Sequence, residues 1–227
     1  MEKKYRLLGE DTIEINGHKL YRIKALRSFS DVNEGDLGGY IESERNLSHD
    51  GDCWVYDSAC VYENACVSEG ARIHKKARVS GNAVVTGMSW VLGYAKVLGN
   101  AHVQGCAMVT EHAVVSGDAK VSENAWVFGH AKVAENAWVH GHSKVSDYAR
   151  VAGGASVSGH THIYEHANIY GRAYIYDDAC IFGRAQVYGQ AEVYGQAEVY
   201  GDSVIQGEAS VSGESKVCDK VVTSNVK

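Results

Sequence analysis

The chain has 227 residues and a formal net charge of −6, long enough for a continuous core and too acidic for bulk attraction to nucleic acid polymers or an anionic membrane. Twenty-five glycines with no proline exclude a collagen-like or proline-rich disordered chain and point to glycine serving regular backbone geometry. Six cysteines (Cys53, Cys60, Cys66, Cys106, Cys180, Cys218) show neither CxxC spacing nor the density of a disulfide scaffold, so reduced thiols in a cytoplasmic protein are expected.

The start, "MEKKYRLLGED", offers no apolar core of signal-peptide length, and no later run approaches a membrane span. "TIEINGHKLYRIKAL" reads as two alternating strands around Asn16-Gly17, a strong short hairpin signal. Next comes "DVNEGDLGGYIESERNLSHDGDCWVYDSA". Residues 1–52 are expected to form a β capping segment, because the repeating strands that follow would otherwise leave an open edge.

From Cys53 to Lys220 the 168 residues divide into 28 hexads of the form A-x-V-x-G-x without an insertion. The third position is always Val or Ile, the first is Ala in 22, and the fifth is Gly in 17 and Asp or Glu in 10. On an extended chain positions one and three point to one side and two and four to the other. Each hexad is therefore a short strand with a small and a β-branched residue inward, followed by a turn at positions five and six. Paired i, i+2 apolar positions at period six do not make a helical stripe. The fold class is all-β, a β-solenoid over 53–220, with 221–227 left as a tail.

The "V-x-G-x-A" spacing resembles the hexapeptide repeat of left-handed parallel β-helices, in which three hexads make one triangular coil. The resemblance implies a three-sided solenoid of about nine coils rising about 4.8 Å each. The "GDLGGYIE…NLS…GDCWVYD" opening is similar to uncharacterised solenoids of phages and prophages, with bacterial relatives described as acetyltransferases. The fold family hosts acyltransferases, carbonic anhydrases and plain scaffolds, so the resemblance by itself leaves function open.

With three hexads per coil, residues 18 apart stack into ladders. One face carries Trp54, Arg72, Trp90, Met108 and Trp126 at second positions, with Leu92 and Phe128 among the fourth. Such an apolar ladder is large for a monomer surface. A homo-oligomer contact through Trp54, Trp90, Met108, Trp126 and Phe128 is expected, a trimer by the family resemblance. The alternative is that the amino-terminal segment covers its upper part. The next face carries Arg78, Lys96, Val114, Lys132 and Arg150, and the corner before it Lys76, Tyr94, His112, His130, Tyr148 and His166. Cations, imidazoles and phenols interleaved along one edge suit a phosphate-bearing ligand, with a ring stacking on a base and Arg or Lys holding phosphate. The candidate ligand-binding residues are Arg78, Tyr94, Lys96, His112, His130, Lys132, Tyr148 and Arg150; a solvated face is the competing reading.

On the third face His142 and His160 should stack at a corner with His140 and His162 near, but nine outward histidines in the solenoid do not single out a metal set. Asn64, Asn82, Asn100, Asp118 and Asn136 read as an amide ladder holding turns. Tyr164, Tyr170, Tyr176, Phe182, Tyr188, Tyr194 and Tyr200 form a collar around the lower coils. Hexapeptide acyltransferases typically interrupt the repeat with a loop and end in a helix, and this chain does neither. The sequence thus favours a non-catalytic, cofactor-free binding solenoid, phage- or prophage-related and in the host cytoplasm if phage-encoded. It would sequester an anionic, nucleotide-like small molecule or a host protein. The alternative is a CoA-dependent acyltransferase using His112 or His130 as base.

Overall fold

A computed structural model describes residues 3–226. Strand β1 (Tyr5–Ile15) and strand β2 (His18–Ala25) form an antiparallel hairpin. Asn16 and Gly17 turn it with φ of 53° and 83°, the left-handed pair that a two-residue hairpin loop requires. Strand β3 (Leu37–Ile41) runs antiparallel to β2 and parallel to Cys60–Val61, so the hairpin continues directly into one sheet of the solenoid. The glycines of "DLGGY" make that join possible. A Cβ on Gly39 would lie 2.5 Å from the Ala59 carbonyl oxygen, and one on Gly38 2.6 Å from that of Val55.

The repeat forms three parallel sheets, about ten coils in all; β1, β2 and β3 extend one of them to 13 strands, and the other two have 10 and 9. This architecture fits the three-sided left-handed β-helix. Strand partners are 18 residues apart, as in Val97↔Val115 and Val115↔Val133. Every third-position side chain from Val55 to Val217 is buried, together with all first positions except the half-buried Ser215. Where serine replaces alanine inside, its hydroxyl bonds the carbonyl three residues back: Ser89 to Thr86, Ser143 to His140, Ser203 to Tyr200. No helix among the described residues is long and apolar enough to cross a membrane.

All fifth positions adopt left-handed backbone, including the acids, whose φ lies between 52° and 62°. The acids offset that strain with a bond glycine cannot make. The Glu111 carboxylate accepts from the Gly129 N–H at 2.9 Å, Glu123 from Gly141 and Glu135 from Gly153, in each case one coil further on. They are turn-holding groups first and counter-charges to the lysines second.

The ladder has a polarity that decides how its ends are closed. The N–H groups of second, fourth and sixth positions donate to carbonyls one coil later, as Trp54 to Ala71, Tyr56 to Ile73 and Asn64 to Gly81, and these outnumber the bonds running the other way. The first coil therefore presents carbonyls and the last presents N–H groups. The cap supplies donors: Lys4 Nζ to the Cys53 and Gly51 carbonyls at 2.9 and 3.2 Å, Asn46 Nδ2 to Ala65 and Glu63, and Tyr5 OH to Leu47. The other end receives acceptors from the segment read from sequence as a tail. Val221–Val222 pairs with Val204–Ile205, the Asn225 side chain accepts from Ser210 N, and the Val226 carbonyl from Ser212 N. The last corner is one residue short, so Val222, not Thr223, sits beneath Ile205. That shortening hid the final strand from a strict six-residue reading.

Candidate functional site

The register places the predicted strip as a continuous feature. Arg78, Lys96, Val114, Lys132 and Arg150 are successive partners on parallel strands, and all four cations are exposed. Among the described residues, only Arg150 of these four has an ion-pair partner, Glu135 at 3.6 Å.

Beside them runs a column of rings. Tyr94–His112, His112–His130, His130–Tyr148 and Tyr148–His166 stack at centroid distances of 5.0, 4.9, 4.9 and 5.1 Å, within 10° of parallel. Lys76 Nζ closes the upper end, 5.4 Å from the Tyr94 ring. The coil rise of about 4.8 Å imposes this spacing. The faces of the inner rings are consequently occupied by one another. A ligand base cannot slide between them, which corrects the expectation that a tyrosine or histidine here stacks on a base. What the column offers is ring edges (imidazole N–H or lone pair, phenol O–H) in a line next to a line of cations. Two shallow grooves of about 490 Å³ flank the column. One is lined by Lys76, Arg78, Tyr94, Lys96, His112 and Val114, the other by Asp147, Tyr148, Glu165, His166, Gly183 and Arg184.

The tryptophan ladder divides. Trp54 was expected in a subunit contact, but it is 1% exposed, packed edge-on by Tyr5 and Phe29 of its own chain. Arg72 beside it bonds Asp31 and Ser30, and Tyr56 bonds Asp31. The cap burying this corner is the reason Trp54 leaves the surface. Trp90 and Trp126 stay exposed, Met108 and Phe128 are half-buried, and Lys144 Nζ covers Trp126 at 5.6 Å.

The asparagine corner is an amide ladder, Asn64 to Asn82 to Asn100 to Asp118. The tyrosine collar is three self-stacked columns, with Tyr170–Tyr188 at 4.7 Å, Tyr176–Tyr194 at 4.8 Å and Tyr164–Phe182–Tyr200 at 4.9 and 5.0 Å. Burial raises the Tyr176 phenol to about 12, and nearby Glu192 adds to the shift. His142 and His160 stack at 5.0 Å, but no three of His, Cys, Asp and Glu come together as a metal-holding group among the described residues.

One constellation was not legible in the sequence. His140 has Ser156 Oγ 3.4 Å from Nε2 and Glu123 Oε1 3.8 Å from Nδ1. The three sit in successive coils, offset by 16 and 17 residues, so a search along one ladder at spacing 18 misses them. A histidine at a fourth position, with Ser at the second position one coil on, is the signal that finds it.

No family model matches the chain. A stretch of 66 residues, 26% of the chain, is 36% identical to the uncharacterized acetyltransferase YdcK of Escherichia coli (strain K12) and covers 20% of that protein. The repeat, the three parallel sheets and this match are together consistent with a hexapeptide-repeat protein.

Proposed function

We propose that the exposed strip is the binding site for an acyl-CoA and that the protein is an acyltransferase of the hexapeptide-repeat type. The observation that carries this reading is the ladder of four cations, three without a carboxylate partner among the described residues, running beside the His112–His130 pair. Arg78, Lys96, Lys132 and Arg150 would hold phosphates by charge-assisted hydrogen bonds. His112 or His130, exposed at the ring edge, would take the proton of an amine or hydroxyl acceptor as it attacks the thioester carbonyl. The partial likeness to an acetyltransferase supports the choice of ligand.

A second reading keeps the site and removes the chemistry: the strip captures an anionic nucleotide-like molecule, as a phage-type sequestering protein would. It is favoured by the ring column itself, in which His112 and His130 contact each other and the tyrosines and, among the described residues, have no carboxylate orienting them. Calorimetric titration with CoA, acetyl-CoA and adenine nucleotides, followed by thiol release from acetyl-CoA over a panel of amines, separates the two. Binding with thiol release supports transfer, binding without it supports capture, and no binding of either class removes the strip as a site.

A further inference from the structure

The third face carries a feature independent of the strip. The His140 imidazole has a neighbour on each of three sides. Its ring stacks on Trp138 at 4.0 Å and 20°, Nδ1 faces Glu123 Oε1, and Nε2 faces the Ser156 hydroxyl. Glu123 is itself fixed, because its second oxygen accepts the Gly141 N–H at 2.9 Å. Trp138 is held by its own N–H, which donates to Ser122 Oγ at 3.0 Å. A proton on Nδ1 toward the carboxylate leaves the Nε2 lone pair for the serine O–H, the order of groups that activates a hydroxyl. Among the described residues no other histidine has a serine hydroxyl on one ring nitrogen and a carboxylate facing the other. Burial lowers the His140 pKa, partly offset by Glu123, so the ring is in its basic form at neutral pH.

Ser156 also stands in a notch. On its ladder it lies directly between Trp138 and Tyr174, two aromatic residues exposed at 44% and 49%. A small polar residue between two exposed rings leaves apolar walls on either side of the hydroxyl, suited to a short aliphatic acyl group.

We propose that Ser156 is a nucleophilic serine, activated by His140 and Glu123, that accepts short acyl groups from activated esters or thioesters. The Ser156 oxygen bonds to the acyl carbon while its proton passes to His140 Nε2. The carbon–oxygen or carbon–sulfur bond then breaks, and that proton leaves with the alcohol or thiol. Water, deprotonated by His140, attacks the acyl-serine and releases the carboxylic acid, restoring the hydroxyl. The backbone donors beside the serine are engaged in the ladder, Ser156 N with Ala173 and Ser158 N with Ile175. Oxyanion stabilisation is consequently poor. Serine acylation with slow turnover is the expected behaviour, resting on the roughly 10²- to 10⁴-fold that a positioned base supplies.

The test incubates the full chain with a fluorophosphonate probe and, separately, with p-nitrophenyl acetate and butyrate, and locates any adduct by peptide mass spectrometry. A single adduct on Ser156, lost in Ser156→Ala and slowed at least about tenfold in His140→Gln, supports the proposal. Circular dichroism of each variant confirms the fold, and Ser156→Cys, which keeps a nucleophile, should label with iodoacetamide faster than a Ser156→Cys/His140→Gln pair. No adduct, an adduct elsewhere, or equal labelling of Ser156→Ala overturns it. Lys216→Ala, on another face, must leave labelling unchanged, and labelling by these esters needs no CoA binding, so this site and the CoA strip stand or fall separately.

Discussion

The Lys4 ammonium lies 2.9 Å from the Cys53 carbonyl oxygen and 3.3 Å from the Cys53 sulfur, and both side chains are wholly buried. A cation occupies the top of the solenoid because that end presents carbonyls and needs donors. Desolvation lowers the Lys4 pKa and raises that of the Cys53 thiol. With the folded-state pKa below the unfolded value of 10.5, the unfolded chain binds more protons between the two, so this group's contribution to stability rises with pH across that window. Urea melts of the wild type and Lys4→Met at several alkaline pH values should show their stability difference growing in favour of the wild type. At neutral pH the variant leaves carbonyls without a donor and should lose about 1–3 kcal/mol.

Glu111 separates the two costs of a left-handed corner. Glu111→Ala keeps the positive φ and loses the bond to Gly129 N–H, and should cost roughly 1–2 kcal/mol by thermal melting. Glu111→Gly loses the same bond but relieves the backbone, and should lie within about 0.5 kcal/mol of the wild type.

Among the described residues two first-position hydroxyls, Thr161 and Ser215, are buried without a partner, and of the two only Thr161 is a fully buried residue. Thr161→Val keeps the shape and removes the orphan group, so it should stabilise by about 1 kcal/mol. A lower melting temperature than wild type would show that the hydroxyl has a partner after all.

On the strip, Lys96→Ala and Lys132→Ala should each weaken CoA binding by about ten- to hundredfold, the loss of one charge-assisted contact worth roughly 1.5–3 kcal/mol. Lys216→Ala should have no effect, since Lys216 pairs with Glu198 at 3.1 Å on a different face. Affinity should also fall as salt rises.

The exposed Trp90 and Trp126 make assembly testable without Trp54. The wild type should scatter light as an oligomer at tens of micromolar, and Trp126→Glu should shift it toward monomer. A wild-type monomer would reject the contact, and a dimer would reject only the trimer expected from the family resemblance.

The architecture was readable from residues such as Val97, Ala101 and Gly99 because period-two burial and a corner every sixth residue are local rules that each hexad obeys alone. The Tyr94–His112–His130–Tyr148 column followed from the same arithmetic, since an uninterrupted repeat converts spacing 18 into stacking. Chain ends and cross-ladder contacts needed the tertiary structure. Trp54 looks like Trp90 and Trp126 in sequence, and only the docking of Tyr5 and Phe29 removes it from the surface. Lys4 reads as one of several amino-terminal lysines until the direction of the hydrogen-bond ladder makes the first coil a surface of acceptors. Glu123, His140 and Ser156 meet because side chains lean along and between coils, and no single period in the sequence encodes that reach.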